Sequence, residues 1–372
     1  MPTIEAIEPT TSTDTLAARL AFALDVREEL IVGTFGEQRA ERAARSRNRA
    51  LFEIFDDYLR AAFGRSPSKP AEIVEAALRS DARLEREAPE LRASYSTIAN
   101  NFATVGNLIV TETYGDVGRL VPAIADRTDL QNFLPYTAYR LEQGGGLTKV
   151  PTNGRLPAAD VMSADGGPLT LDTRGAVLTV SRQTLVNDDI GAIRKVFADS
   201  ARRAAIAEER ALVEEIAEES DSFYTAGRGN LLSSKALSST NLPLAEAALW
   251  AQKDARAVPV FARPRILLVP PTLRYAAAAL FEGFAPEDRL QVETSPYLED
   301  ATIGGSSSST WYVLADPRVL PAFTVGYLRG SLRRPIVDTD PNPIDTLGIK
   351  LRVYHDFGVA GVNPQAALKA TA

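Results

Sequence analysis

Hydrophobic positions recur three and four residues apart in the first quarter of the chain, a spacing typical of amphipathic helices. Leu16, Leu20 and Leu24 follow a capping signal at residues 12–14. A second stripe begins at residue 51, and Pro70 behind it is well placed to begin a further helix. This stripe consists of Leu51, Ile54, Phe55, Tyr58, Leu59 and Ala62. Residues 1–92 are therefore predicted to form a helical module.

Two stretches without helical periodicity follow. Residues 93–134 are small and polar with scattered apolar positions, which predicts an extended arm. Residues 135–180 are interrupted by glycines and carry strand-like pieces at both ends, including Ala176–Val180. This pattern predicts a long two-stranded hairpin. Because an isolated hairpin is only marginally stable in water, we expect a second molecule to support it.

The second half of the chain predicts one long helix and then alternating strands and helices. Capping side chains at residues 187–189 precede a helix from about Asp189 to Ser220, which would span about 45 Å at about 1.5 Å per residue. Helices are also predicted from Asn241 and after Pro271. Strands are predicted at Ile266–Val269, Trp311–Leu314, Phe323–Leu328 and Ile349–Val353. The predicted fold class is α+β.

Composition narrows the possible chemistry. Hydrophobic residues make up 45% of the 372 positions and charged residues 24%, as in an ordinary globular protein. The chain has no cysteine and a single histidine, His355, which excludes disulfides, cysteine-based metal sites and most histidine-based sites. No apolar run approaches a membrane span and the first residues lack a secretion signal. We therefore expect a soluble intracellular protein with no membrane partner.

The charge balance argues against nucleic acid as a direct ligand. The net charge is −7 and the isoelectric point is about 5.1, whereas sequence-independent DNA binding needs clustered Lys and Arg. A protein that merely surrounds nucleic acid is compatible with an acidic chain, because weak repulsion at an inner surface prevents the polymer from sticking.

Several short motifs suggest chemistry but lack the required context. Residues 356–358 spell the magnesium-binding tripeptide of protein kinases, without the other kinase loops. His355 has no indicated triad partner and is predicted to end a strand with a local hydrogen bond. Asp338, Asp340 and Asn342 imitate the start of a calcium loop whose later positions do not fit. We expect no catalytic residue, no cofactor and no metal.

Adjacent acidic residues on the predicted long helix point in different directions around it. They are interpreted as solvated or interface charges and not as an acid–base pair. The pairs are Glu208-Glu209, Glu214-Glu215 and Glu218-Glu219.

Four stretches, in this order, resemble the major capsid proteins of tailed phages with the Hong-Kong-97-type fold. The resemblance covers the chain from about Tyr95 onwards and is strongest to the capsid part of fused prohead-protease and capsid polypeptides. This chain contains no protease domain. The four stretches are residues 180–189 (VSRQTLVNDD), 222–230 (SFYTAGRGN), 265–271 (RILLVPP) and 347–358 (LGIKLRVYHDFG).

The resemblance implies a division of the chain after the N-terminal helical segment, which would be scaffold-like or retained. In order, the implied parts are an N-terminal arm (93–134), an extended-loop hairpin (135–180), a peripheral domain with a spine helix (181–227), an axial domain (228–330) and a return to the peripheral domain (331–372).

The resemblance also implies a structural function. Such subunits form pentamers and hexamers of an icosahedral head that encloses double-stranded DNA without sequence-specific contacts. The implied location is the virion, after assembly in the host cytoplasm. Implied partners are further copies of the chain, with a portal, a separate prohead protease and decoration proteins as additional candidates.

Candidate assembly residues lie in the hairpin. They are Gly144, Gly145, Gly146, Lys149, Asn153 and Gly154. Lys149 and Asn363 are nominal partners for the Lys–Asn cross-link of some relatives, but no flanking motif supports the pair and ordinary surface roles are favoured. Two alternatives to the phage head stay open, namely an encapsulin-like nanocompartment shell and, more remotely, an unrecognised soluble enzyme.

Overall fold

The computed structural model describes most of the chain. The described residues are 13–80, 98–117, 120–144, 160–217, 223–254, 257–285, 289–339 and 348–372. They form a mixture of helices and antiparallel and parallel strands, so the predicted α+β class is confirmed.

The elements are numbered in chain order. The helices are α1 (Thr13–Ala23), α2 (Glu28–Phe35), α3 (Glu37–Ala44), α4 (Leu51–Phe63), α5 (Pro70–Leu78), α6 (Ile98–Asp116), α7 (Leu120–Ile124), α8 (Arg182–Val186), α9 (Ile190–Ala217), α10 (Asn241–Trp250) and α11 (Arg274–Ala279). The strands are β1 (Ala125–Leu130), β2 (Tyr136–Gly144), β3 (Asp160–Leu169), β4 (Asp172–Ser181), β5 (Leu231–Leu232), β6 (Pro264–Val269), β7 (Gln291–Thr294), β8 (Trp311–Ala315), β9 (Phe323–Leu328), β10 (Ile336–Thr339), β11 (Gly348–Gly361) and β12 (Ala367–Ala370).

The chain divides into two compact units, each assembled from three separated segments. The first unit takes its described residues from Met1–Val117, Thr173–Ala205 and Arg334–His355. The second takes its described residues from Gly118–Asp172, Ile206–Arg333 and Asp356–Ala372.

In the first unit, the N-terminal helices bury their predicted apolar stripes. All six stripe residues of α4 are buried, and the helix ends at Gly64, whose φ of +68° suits glycine. Pro70 begins α5, as its fixed φ favours. The predicted N-terminal helices are therefore confirmed. They share one core with α6, the first part of α9 and side chains of β10 and β11.

The expected extended conformation of residues 93–134 is wrong for much of the segment, because α6 is a helix of 19 residues. Its buried positions include Ile98, Phe102, Val105 and Ile109, which follow helical spacing. Two polar residues between them bond to carbonyl oxygens of the helix itself: Thr104 Oγ1 donates to Asn100 O at 3.0 Å, and Asn107 Nδ2 donates to Ala103 O at 3.0 Å. Small polar composition therefore concealed a buried helix.

The predicted hairpin exists, but it is shorter than expected. Strands β2 and β3 pair antiparallel from Tyr136 opposite Leu169 to Gly144 opposite Asp160. The strand containing Ala176–Val180 is β4, which pairs with β11 and not with β2. The prediction placed this strand in the hairpin because sequence alternation shows that a strand exists but not which strand lies beside it.

The remaining strands of the first unit pair around the first part of β11. Strand β10 runs antiparallel to it, with Val337 opposite Val353. The predicted long helix is confirmed as α9, whose 28 residues span about 42 Å at about 1.5 Å per residue. Residues 190–205 of this helix belong to the first unit and residues 206–217 to the second.

The second unit contains a five-stranded sheet in the order β5-β12-β8-β6-β7. Strand β12 pairs with β8 antiparallel and with β5 parallel, which joins residues 367–370 to strands that the predicted division assigned to the axial domain. In a second group of strands, β1 pairs parallel with β9, and β9 pairs antiparallel with the last part of β11. Trp311, Tyr312 and Phe323 lie fully buried among these strands.

Candidate functional site

The β2–β3 ribbon carries the predicted assembly residues. Gly144 is the last residue of β2 and pairs with Asp160. Gly145, Gly146, Lys149, Asn153 and Gly154 lie outside the described residues. Their assembly role therefore stays a prediction.

The base of the ribbon is fixed to the second unit by close packing. Leu169, at the end of β3, is fully buried in a small cluster with Leu130, Leu171 and Ala360. Gly358 of β11 passes so close to the backbone that a Cβ atom there would lie 1.9 Å from Thr170 O. Only glycine fits at this crossing. The close contact fixes the position of the chain where it leaves the ribbon, just after β3.

Large apolar side chains are exposed where the ribbon begins. Phe133 is 46% exposed, Leu134 68% and Tyr136 45%. Exposed apolar residues that are neighbours in the chain are typical of protein contact surfaces. These residues were not predicted from the sequence, although their grouping around Pro135 was a visible signal.

His355 lies inside β11 and not at a strand end, so that prediction is wrong. The side chain is only 3% exposed, and its ring stands edge-on to Tyr114 with 5.6 Å between the ring centroids. Burial lowers the pKa of His355 to about 4, because a charged imidazolium would lose its hydration. The imidazole is neutral at neutral pH and inaccessible to a substrate, which favours a packing role.

The paired acids on α9 are not all solvated, which corrects their interpretation. Glu208 is only 4% exposed and accepts a hydrogen bond from the Tyr327 hydroxyl. Glu209 accepts from Ser295 Oγ at 2.7 Å, and Glu215 accepts from the backbone N–H of Gly361 at 2.9 Å. These carboxylates therefore hold the second part of α9 against the strands and loops of the second unit.

The C-terminal end of α9 is held by a cation. Lys369 of β12 donates from Nζ to Ala217 O at 3.1 Å, and the same nitrogen lies 5.6 Å and 5.8 Å from the ring centroids of Tyr224 and Tyr312. A positive charge at this end complements the helix dipole, and the two rings add cation–π attraction.

Two further candidate sites have structural explanations. Asp338 forms an ion pair with Arg352 at 2.8 Å, while Asp340 and Asn342 lie outside the described residues. Asn363 is 5% exposed, and its Nδ2 donates to Pro321 O at 2.7 Å, so the amide suggested for a cross-link is engaged inside the fold. Within the described ranges, no group of three or more His, Cys, Asp or Glu residues is arranged to hold a metal ion.

None of the described helices is long and apolar enough to cross a membrane.

Comparison with known proteins gives one family and a set of remote structures. Residues 166–370 match the family model described as phage capsid protein. No curated protein matches the chain. All four stretches that carry the resemblance lie within the matched residues, so the predicted identity as a tailed-phage capsid protein is confirmed. The relation to protease fusion proteins stays a prediction.

The solved structures that the chain resembles share little sequence with it. The virus-like particle of Pyrococcus furiosus is 14% identical over 71% of this chain and 97% of its own, with a TM-score of 0.42. The structure from Mycobacterium phage Bobi is 12% identical over 68% of this chain and 90% of its own, with a TM-score of 0.42. The SrpI encapsulin complex of Synechococcus elongatus is 11% identical over 68% of this chain and 86% of its own, with a TM-score of 0.47.

The family assignment rests on the family model, which covers more than half of the chain, including both the long helix and the five-stranded sheet of the second unit. The chain therefore belongs to the phage capsid protein family, as a major capsid protein.

Proposed function

We propose that the chain assembles with copies of itself into pentamers and hexamers of an icosahedral phage head that encloses double-stranded DNA. The observation that carries this proposal is the family match over residues 166–370. Assembly would take place in the host cytoplasm and the product would be the virion shell.

The ribbon supports the proposal. It consists of two strands that pair only with each other over the described residues, from Tyr136 to Gly144 and from Asp160 to Leu169. Two strands alone are marginally stable in water. Contact with a neighbouring subunit would supply the missing support, and the exposed Phe133 and Leu134 lie where such a contact would begin.

The chemistry of the described side chains favours a structural protein over an enzyme. The one histidine is buried and neutral, and Glu208, the most buried acid of α9, accepts a hydrogen bond from Tyr327. A general acid or base needs access to a substrate proton within hydrogen-bond reach. These groups hold the fold together without facing a substrate.

Further partners follow from the same proposal. A shell of this kind requires a portal for DNA entry, and a separate prohead protease and decoration proteins are compatible with it. We also propose that the N-terminal helices face the interior of the shell, and that residues 228–330 point towards its symmetry axes.

Electron microscopy of the purified full-length chain tests the proposal. We expect closed shells or capsomers of uniform size, since self-association is the function. A monodisperse monomer at high protein concentration would contradict it. Shells isolated from infected cells should contain nuclease-protected DNA, whereas shells filled with a cargo enzyme would instead indicate an encapsulin-like compartment.

A further inference from the structure

A cleft of about 500 Å³ lies within the second unit, beside the first residues of β1 and β6. Four arginines from four separate segments line it: Arg127 on β1, Arg265 on β6, Arg318 in the turn after β8 and Arg333 in the loop after β9. This volume falls in the range of about 300–1,000 Å³ that is typical of small-ligand sites.

The positive charge in the cleft is only partly neutralised. Arg333 is held by Asp129 through two hydrogen bonds of 2.8 and 3.0 Å. By contrast, the guanidinium groups of Arg127, Arg265 and Arg318 make no hydrogen bond or ion pair with any described residue. All three residues are exposed. As far as the described residues are concerned, each guanidinium therefore keeps its N–H donors open to a ligand.

Two carboxylates also line the cleft, Asp126 and Asp316. Asp316 is engaged locally, since its Oδ1 accepts from the backbone N–H of Arg318 at 3.0 Å. The lining therefore carries four positive and two negative side chains. This local excess of positive charge contrasts with the net charge of −7 over the whole chain.

The arrangement of the arginines favours phosphate over carboxylate. A carboxylate accepts hydrogen bonds through two oxygens in one plane, which a single guanidinium can satisfy. A phosphate group presents several oxygens around a tetrahedral centre and accepts charge-assisted hydrogen bonds from several directions at once. Arginines that reach one cleft from separate segments match the second geometry.

We propose that this cleft binds a phosphate-bearing anion through Arg127, Arg265 and Arg318, an activity separate from shell building. The phosphate can belong to the backbone of a nucleic acid or to a free polyphosphate. The acidic composition of the chain predicts weak binding of nucleic acid over the surface in general, and the local cluster allows binding at one place.

Titration calorimetry of the full-length protein with sodium tripolyphosphate tests the proposal. We expect saturable binding that weakens as salt is raised, because charged contacts are screened. The double variant Arg265→Ala with Arg318→Ala should weaken binding by about tenfold or more, since each removed guanidinium takes charge-assisted hydrogen bonds with it. The double variant Arg42→Ala with Arg203→Ala removes the same charge from exposed positions of α3 and α9 and should bind as the wild type.

A second arm distinguishes the source of the phosphate. Fluorescence anisotropy with a labelled mixed-sequence oligonucleotide should show binding that tripolyphosphate displaces if the source is nucleic acid. Tripolyphosphate binding without oligonucleotide binding would indicate a free polyphosphate. Both results support the proposal.

Other outcomes would overturn it. One is the absence of saturable tripolyphosphate binding, and another is equal binding of tripolyphosphate by the cleft variant and the control variant. A third is displacement of the labelled oligonucleotide by a glutamate-rich peptide as effectively as by tripolyphosphate, which would indicate a protein carboxylate partner. Circular dichroism verifies that each variant is folded. If the double variant does not fold, the single variant Arg318→Ala, in an exposed turn, carries the test.

Discussion

At the scale of single residues, the buried polar groups of the second unit form specific pairs. Tyr327 is 2% exposed and Glu208 is 4% exposed, and the tyrosine hydroxyl donates to the carboxylate. Burial, together with the neighbouring Glu208 charge, raises the pKa of Tyr327 far above its usual range, so the hydroxyl keeps its proton and continues to donate. The pair fixes α9 to β9 by a charge-assisted hydrogen bond.

The substitution Tyr327→Phe should lower the free energy of unfolding by about 1–3 kcal/mol, because it leaves a buried carboxylate with one donor fewer. Urea unfolding of dissociated subunits measures the effect. Tyr275→Phe serves as the control. Tyr275 is 83% exposed, so loss of its hydroxyl should change the free energy of unfolding by less than about 0.5 kcal/mol. Equal effects of the two substitutions would contradict the assigned role.

His355 predicts a pH dependence of stability. Its folded-state pKa of about 4 lies below the ordinary value of 6.5, so the unfolded chain takes up the proton first as the pH falls. The contribution of His355 is therefore unchanged above about pH 6.5. Between about pH 6.5 and pH 4 it lowers the free energy of unfolding progressively, by up to about 3 kcal/mol.

Urea unfolding at pH 7.5 and at pH 5, for wild type and His355→Phe, tests this prediction. The phenylalanine variant should lose less stability between the two pH values than the wild type, because it has no imidazole to protonate. Its cost at pH 7.5 should be about 0.5–3 kcal/mol, the usual range for single substitutions. The same pH dependence in both proteins would show that His355 does not titrate in this range.

At the scale of elements, periodic apolar patterns predicted helices and strands correctly, whereas amino-acid composition was a poor guide to secondary structure. The stripe in α4, the length of α9 and the strands around Trp311 and Phe323 follow directly from spacing. Helix α6 was missed because asparagines, threonines and glycines are interspersed among its apolar positions. One of the small residues is required by packing, because a Cβ atom at Gly106 would lie 2.6 Å from the Phe197 ring.

Partners of elements were harder to predict than the elements themselves. Neighbouring positions of a helix lie on different sides of it, and the sequence does not show which side meets another element. Glu208 was therefore interpreted as an exposed or interface charge. The pairing of β4 with β11 joins residues far apart in the chain, and no local pattern specifies such a partner.

The ribbon should be dispensable for folding and necessary for assembly. Residues 141–163 can be replaced by Asn-Gly, a two-residue turn that joins the paired residues Arg140 and Ala164. This change keeps Leu169 in its buried cluster. We expect a folded subunit by circular dichroism that fails to form stable shells by electron microscopy. Shells as stable as the wild type, or an unfolded subunit, would contradict the assembly role.

At the scale of the whole molecule, the N-terminal helices are tied directly to residues far along the chain. The backbone N–H of Leu51 donates to Asp188 Oδ1 at 2.7 Å, and Arg194 of α9 donates to Leu24 O at 2.8 Å. Buried side chains of α1, α4 and α5 belong to the same core as Phe197 and Leu351. The first unit is therefore built around these helices.

We predict that the N-terminal helices are retained in mature particles. Burying one large apolar side chain contributes roughly 1.5–3 kcal/mol, so the five large stripe residues of α4 together match a typical domain stability of about 5–15 kcal/mol. Mass spectrometry of mature shells should detect peptides from residues 13–78. A chain lacking residues 1–92 should be insoluble, and a soluble, folded truncated chain would show instead that the helices are a detachable scaffold.

The inner position of β12 sets the order of events during synthesis. Strand β8 ends at Ala315, but the strand that covers one of its edges begins only at Ala367. At about 5–20 residues per second, a ribosome needs roughly 3–10 s to add the intervening segment. For that interval the nascent chain displays an open β-edge beside newly made apolar residues. The sheet therefore closes late, after residues 367–370 have left the ribosome. Slow translation after residue 315 should prolong the need for chaperone protection.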